Sequence, residues 1–189
     1  MKFTPREVGD LAKAWIGVTL AFEAGGIITS SFSPQRFILT FLIVGGAVIL
    51  HELAHKQMAT RLGEKATFKS NDTLLFFGVI LAVLTGFIFI APGAVHLTRA
   101  VSPTKNALIA WSGPAMNGLL AILALPLTYI ETSIQAWFTV TVIVNSFLGI
   151  FNMIPFPGFD GQKILRGDKL LYWGTLAALI ILLASTFTG

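Results

Sequence analysis

The sequence contains no cysteine, few charged residues and no extended polar stretch. Because cysteine is absent, the chain can form no disulfide framework, and cysteine usage gives no information about its redox compartment. Only 12% of the 189 residues are charged, whereas 54% are hydrophobic, and the mean hydropathy is +0.79. This composition is too apolar for an ordinary soluble domain of that length, which indicates a membrane protein.

The lack of a long polar segment also bears on domain organisation. No stretch is suited to a separate soluble domain, and no internal repeat is present, so we expect a single membrane-embedded domain over 1–189. The formal net charge of +4 comes from lysines and arginines spread through short connectors. This distribution is typical of the loops of a membrane protein and does not indicate a nucleic-acid partner. The start resembles a signal peptide, but Glu23 and the lack of an A-x-A site favour a retained first span.

Five apolar stretches are long enough to cross a hydrocarbon core of about 30 Å, namely 11–30, 37–60, 107–128, 136–155 and 170–187. The connectors after 60, 91 and 155 are basic, and the positive-inside rule places them in the cytoplasm with the N-terminus. A sixth apolar stretch, 74–91, then cannot cross. We predict an all-α polytopic membrane protein with five to six transmembrane helices. We also predict a re-entrant segment around 66–98, broken near Gly86 and Gly93; the residues leave open whether it is a helix or a β-hairpin.

The motif HELAH at 51–55 ends an uncharged run of fourteen residues, 37–50. On a helix, His51 and His55 share one face, where two imidazoles can hold one zinc ion, and Glu52 lies beside them as a proton acceptor. Ionisable side chains in a transmembrane helix are costly and usually functional. The motif therefore predicts half of a zinc site.

A catalytic zinc ion needs a third protein ligand, for which we consider four residues: Asp160, His96, Asp72 and Glu23. Asp160 is favoured because two prolines stop the preceding helix and the predicted topology brings this turn to the side where His55 lies. His96 is the alternative ligand, or else an interfacial histidine. Asp72 is interpreted as a solvated charge or helix cap, and Glu23 as pairing with a basic group or facing water.

Three motifs occur in order along the chain, HELAH at 51–55, SGPAMN at 112–117 and NMIPFPGFDG at 152–161. In this order they resemble the core of the site-2 protease family of intramembrane zinc metalloproteases. The resemblance covers roughly 37–165, and the chain has neither the PDZ nor the CBS domain that other members often carry. Small residues in the second motif allow close helix approach, and its Asn117 can bond to a neighbour such as Asn145, so we interpret it as structural support.

The resemblance implies His51, His55 and Asp160 as the ligands of one Zn²⁺ ion and Glu52 as the catalytic base. It also implies that Asn152 holds the oxyanion or the substrate backbone. Taken alone, Asn152 is more simply a residue at the end of a helix that bonds locally before a proline.

These features predict an integral membrane protease that hydrolyses peptide bonds in or near transmembrane segments of other membrane proteins. At about 1.5 Å per residue, His51 lies about 21 Å along its helix from Phe37, which places the site inside the bilayer. We expect a cell-membrane location, with the site nearer the cytoplasmic face. Two alternatives stay open. A non-catalytic zinc-binding scaffold would have no need of Glu52, and a metal-ion transporter would need polar residues along spans such as 170–183 that are almost purely apolar.

Overall fold

The computed structural model describes residues 1–29, 33–86, 88 and 92–187, without the side chains of 25–28. Most of these residues are helical. The helices are α1 Pro5–Ile28, α2 Pro34–Thr40, a π-helical turn Phe41–Gly45, α3 Gly46–Arg61, α4 Asp72–Thr85, α5 Pro103–Ala124 with a 3₁₀ extension Leu125–Tyr129, α6 Gln135–Asn152, α7 Asp160–Gly167 and α8 Lys169–Ser185. Two strands, β1 Ala66–Ser70 and β2 Gly93–Leu97, pair in a small sheet. The protein is therefore a helical membrane protein with a two-stranded sheet.

The chain forms two compact units. The first contains Met1–Ile49 and Ala66–His96, and the second contains Leu50–Lys65 and Leu97–Gly189. The single domain over 1–189 and its core over 37–165 stay predictions.

In the first unit, α1 packs closely against the π-helical turn. The Trp15 indole Nε1 donates to the Phe41 carbonyl at 2.7 Å, and the two aromatic rings stack with centroids 4.7 Å apart. A side chain at Gly45 would overlap the Trp15 ring. Because glycine has no Cβ, the backbone there can approach the indole.

Polar side chains of α1 hold the neighbouring elements of this unit. The Glu7 carboxylate accepts from the Phe68 backbone N–H at 2.8 Å, which fixes β1 to α1. The Lys13 ammonium lies 2.8 Å from the Asp72 carboxylate, whose side chain is 66% exposed. Of the two interpretations of Asp72, a solvated charge or a helix cap, the structure agrees with the first. The side chain that caps α4 is that of Asn71.

The two strands run antiparallel, since the residues that flank them bond across both ends. Asn71, just after β1, donates its N–H to the Pro92 carbonyl just before β2, and Thr98 donates to the Lys65 carbonyl. Helix α4 ends at Gly86, which has φ +71, a left-handed conformation that favours glycine. The predicted break at Gly86 is confirmed, and β2 begins at the second predicted break, Gly93. The segment contains both a helix and a strand pair.

The second unit has its core where α5, α6, α7 and α8 meet. A buried cluster joins them through Ala110, Met153, Ile164, Tyr172 and Leu179. The Tyr172 hydroxyl donates to the Met153 carbonyl at 2.9 Å. This bond fastens α8 to the end of α6, which is where the chain turns towards α7.

Among the described residues, three helical segments are long and apolar enough to cross a membrane, namely Pro34–Arg61, Pro103–Tyr129 and Gln135–Asn152. They correspond to three of the five predicted spans. Helix α8 and helix α4 are apolar but shorter, with 17 and 14 residues. The predicted number of five to six transmembrane helices stays a prediction.

Candidate metal centre

The two histidines of HELAH lie on one face of α3, as their four-residue spacing predicts. Their ring centroids are 4.6 Å apart, and the residues are only 3% and 6% exposed. The Oδ2 atom of Asp160, at the start of α7, lies 3.2 Å from His51 Nε2 and 3.0 Å from His55 Nε2. The structure therefore brings the three predicted ligands together, with one ligand atom from each within 4.8 Å of the others.

Glycines explain how Asp160 reaches this position. Gly158 has φ +100, a conformation that residues with a Cβ rarely adopt. A Cβ at Gly161 would overlap the Met153 carbonyl, so a glycine there lets α7 begin against the end of α6. The glycines on either side of Asp160 thus turn the carboxylate back towards α3.

Each histidine points its Nδ1 atom at a hydrogen-bond acceptor. His55 Nδ1 lies 2.7 Å from the Ile109 carbonyl, and His51 Nδ1 lies 2.6 Å from Asn117 Oδ1. Because an oxygen of this kind can only accept, Nδ1 carries a proton, and in the neutral imidazole the lone pair is then on Nε2. Metal-binding histidines are oriented in this way by partners on their other nitrogen.

The residues present fit a zinc ion. A Cβ built at Gly113 would lie 2.5 Å from both Nε2 atoms, so this glycine leaves open the space that the two nitrogens face. Two imidazoles and one carboxylate form the donor set of many catalytic zinc sites. In addition, the Oε2 atom of Glu52 is buried without a hydrogen-bond partner in the described part of the chain, so this oxygen is available to accept a proton.

Two other ligand candidates, His96 and Glu23, belong to the first compact unit. His96 is exposed in β2, and Glu23 is 1% exposed and pairs with Arg36 at 3.3 Å. Among the residues that the structure describes, the cluster of His51, His55 and Asp160 is the one group of three or more side chains that could hold a metal ion. The ligand role of these three residues stays a prediction, as does the catalytic role of Glu52.

Asn152 has a local bond rather than a contact in the centre. Its Nδ2 donates to the Leu148 carbonyl, one helical turn earlier, at 3.0 Å. The implied role in holding substrate would require this bond to be exchanged, and it stays a prediction.

Three neighbours of the centre were not predicted from the sequence as site residues. Asn117 bonds to His51, Gly113 leaves the ligand atoms uncovered, and Lys163 places its ammonium 3.3 Å from Asp160 Oδ1. Spacing offered a signal for two of them, because Gly113 and Asn117 are four residues apart and share a face of α5. The predicted bond between Asn117 and Asn145 is confirmed at 3.0 Å.

A charged cluster holds the chain just after α3. The Glu64 side chain is 3% exposed and lies 2.7 Å from Arg99 and 3.0 Å from Lys105. Hydrogen bonds from Arg99, which has the larger effect, and from Lys105 lower the pKa of the Glu64 carboxyl to about 2. Lys105 also donates to the Leu62 carbonyl at 3.3 Å, so the cluster satisfies a carbonyl at the end of the helix that carries the histidines.

A buried His-His-Asp site on an HExxH helix, in a helical membrane protein, is typical of a zinc-dependent hydrolase. The chain is 33% identical over 175 residues, 90% of its own length and 89% of the relative, to "Putative zinc metalloprotease MJ0611" of Methanocaldococcus jannaschii. It is also 26% identical to "Putative zinc metalloprotease YwhC" of Bacillus subtilis, over 71% of this chain and 69% of that one. "Putative zinc metalloprotease Rip2" of Mycolicibacterium smegmatis is 27% identical, over 89% of this chain and 77% of its own. The chain belongs to the site-2 protease family of zinc metalloproteases. No family model matches the chain, and no solved structure matches it.

Proposed function

We propose that the chain is an intramembrane zinc metalloprotease of the HExxH type that hydrolyses peptide bonds in or near transmembrane segments of membrane proteins. One observation carries this proposal. Three buried ligand atoms from His51, His55 and Asp160 lie within 4.8 Å of one another, and the Oε2 atom of the adjacent Glu52 is buried without a partner among the described residues. The names of the relatives support the same class of enzyme.

His51 and His55 would bind the zinc ion through Nε2, and Asp160 through Oδ2. When bound, zinc supplies Lewis acidity, which polarises the scissile carbonyl and makes water a better nucleophile near neutral pH. Glu52 Oε2 accepts the proton of the attacking water and returns it to the leaving amine nitrogen. The Asn152 amide donates to the oxygen on which negative charge develops, after it releases the Leu148 carbonyl.

The substrate has to be unwound locally before it can react. In a helix, each carbonyl is occupied by an N–H four residues later, so the scissile carbonyl is not free to be attacked. We propose that the substrate segment is extended where it enters the site.

The segment 66–98 is proposed to enter the membrane and return rather than cross it. Helix α4 has 14 residues, about 21 Å at 1.5 Å per residue, which is short of the roughly 30 Å hydrocarbon core. The antiparallel bonds from Asn71 to Pro92 and from Thr98 to Lys65 support the return, because they bring the two ends of the segment side by side.

The site is proposed to lie nearer the cytoplasmic face of a cell membrane. His51 and His55 belong to the apolar segment Pro34–Arg61, and basic residues follow its end at Arg61, Lys65 and Lys69. Basic connectors stay in the cytoplasm. The histidines, within three turns of Arg61, would then lie at a depth that water can reach from that side.

The experiment that tests the proposal is Glu52→Gln in the full chain, purified in detergent. The variant removes the proton acceptor and keeps the side-chain size, so it should bind zinc like the wild type and lose cleavage of a model transmembrane substrate. Glu131→Gln, at an exposed glutamate, is the matched control and should keep both properties. Retained cleavage by Glu52→Gln would overturn the mechanism, and zinc flux across vesicles would instead favour a transporter.

A further inference from the structure

We infer that Asn117 and Asn145 form a hydrogen-bond relay that fixes the orientation and the tautomer of His51. The relay joins α3, α5 and α6 through buried side chains, and it ends on a backbone carbonyl. This inference rests on the proposed zinc site and identifies two positioning residues for one of its ligands.

The direction of the relay is set at its far end, on α6. Asn145 Nδ2 donates to the main-chain carbonyl of Thr141 at 2.9 Å. Because a carbonyl can only accept, the Asn145 amide has to place its nitrogen there and its oxygen on the opposite side. Asn145 is 1% exposed, so bulk water does not compete for either atom.

The second bond carries this direction to α5. Asn145 Oδ1 accepts from Asn117 Nδ2 at 3.0 Å. An amide oxygen cannot donate, so Asn117 has to turn its own nitrogen towards Asn145 and its oxygen towards His51. Asn117 is fully buried. If its amide were reversed, its nitrogen would face the N–H of His51 Nδ1 and its oxygen would face Asn145 Oδ1, so neither pair could form a hydrogen bond. Leaving such groups unpaired is costly in the interior.

The third bond reaches the histidine. Asn117 Oδ1 lies 2.6 Å from His51 Nδ1, so the proton of the neutral imidazole sits on Nδ1 and the lone pair on Nε2. Nε2 is the atom that faces Asp160 Oδ2 at 3.2 Å. The relay therefore lets the Thr141 carbonyl on α6 fix the orientation of the His51 ring on α3, so that Nε2 is the ring nitrogen available as a ligand.

The ring of His55 is oriented by one hydrogen bond rather than by a relay, because its Nδ1 bonds directly to the Ile109 carbonyl at 2.7 Å. A backbone carbonyl cannot be removed by substitution, whereas the two asparagines of the His51 relay can. The two histidines thus differ in how their orientation can be disturbed. Only the ligation by His51 should respond to changes at Asn117 and Asn145.

The test measures the zinc dissociation constant of the full chain in detergent, by competition with a chelator. Asn117→Leu removes the acceptor for His51 Nδ1 and should weaken zinc binding by about 10- to 100-fold, the usual effect of losing such a partner. Asn145→Leu leaves Asn117 in place but removes the oxygen that accepts from its Nδ2, and should weaken zinc binding by about tenfold, the lower end of that range. Asn117→Asp still offers an oxygen to His51 but places its second oxygen against Asn145 Oδ1, so it should lose less affinity than Asn117→Leu.

Ser146→Ala is the matched control. Ser146 neighbours Asn145 on α6, is 0% exposed, and its Oγ has no hydrogen-bond partner in the described residues. Its removal should leave zinc affinity unchanged. A second control separates positioning from packing: in a His51→Ala background, Asn117→Leu should cause no further loss of affinity, because the residue through which it acts is gone.

Two outcomes would overturn the relay. One is equal loss of affinity in Asn117→Asp and Asn117→Leu, which would mean that the amide only packs α5 against α6. The other is wild-type affinity in Asn117→Leu. If the wild type itself binds no zinc, the proposed function fails together with the relay. If the wild type binds zinc, Glu52→Gln abolishes cleavage and Asn117→Leu keeps its affinity, the relay alone fails.

Discussion

The space in front of the two histidines depends on Gly113 having no side chain. A Cβ there lies 2.5 Å from both His51 Nε2 and His55 Nε2, whereas ordinary contacts begin near 3.4 Å, so each nitrogen would have to retreat by about 0.9 Å. Zinc–nitrogen bonds are about 2.0 to 2.1 Å long and a site tolerates deviations of about 0.2 Å. The displacement is several times that tolerance. We therefore expect Gly113→Ala to weaken zinc binding by about 100-fold or more, at least the effect of losing a supporting partner.

The assay for Gly113→Ala is the zinc content of the purified protein, together with the change in melting temperature when zinc is added. Gly118→Ala is the matched control, because it lies on the same helix and its Cβ would meet Leu179 at 3.5 Å, an ordinary contact. The control should keep its zinc and its zinc-induced stabilisation. If Gly113→Ala binds zinc as the wild type does, the metal does not occupy the space between the two Nε2 atoms and the ligand assignment is wrong.

Two further predictions concern charged side chains of the second unit, Lys163 and Glu64. Lys163→Met removes the ammonium that lies 3.3 Å from Asp160 Oδ1. Because this positive charge opposes a cation at the same carboxylate and the lysine side chain is 42% exposed, the zinc dissociation constant should fall by only about two- to fivefold, equivalent to a surface charge interaction of up to about 1 kcal/mol. The folded-state pKa of Glu64, about 2, lies below its ordinary value of 4.5, so its contribution to stability is present above about pH 4.5 and is lost as the pH falls towards 2. Melting temperatures of the zinc-free protein should show this decline, and Glu64→Gln should make it shallower.

Each of these predictions can fail clearly. Lys169→Met, at another lysine of the same basic region, should leave zinc affinity unchanged, and an equal gain of affinity in both lysine variants would indicate a general effect of charge. For the pH series, Glu131→Gln should keep the wild-type slope between pH 4.5 and 2. If Glu64→Gln has that same slope, the ion pairs of Glu64 with Arg99 and Lys105 do not contribute to the acid sensitivity.

The sequence predicted two ligands of the metal centre from spacing, but spacing did not distinguish among the four candidates for the third ligand. HELAH alone predicted two ligands, because residues four apart on a helix share a face whatever surrounds them. Asp160, His96, Asp72 and Glu23 could not be separated by spacing, since their distances to His51 depend on how helices far apart in sequence pack. The fold distinguishes them through contacts, with Asp72 paired to Lys13, Glu23 paired to Arg36, and Asp160 facing both Nε2 atoms.

In the segment 66–98, too, some features were predictable from the sequence and others were not. Charge in the connectors predicted that it returns to its starting side, and Gly86 marked the end of its helix. The pairing of β1 with β2 was not specified by residue type, because strand partners are chosen by long-range hydrogen bonding rather than by local propensity.

The sequence by itself determined the membrane class, the HELAH face of α3 and the turn that contains Asp160, because hydropathy, helical spacing and the conformations of proline and glycine act over a few residues. Only the tertiary structure decided that Asp160 Oδ2 meets both histidines, that Gly113 leaves the space before them open, and that Asn117 and Asn145 orient His51. Those contacts join residues between 28 and 109 positions apart, and the packing of α3, α5, α6 and α7 is what brings them within bonding distance.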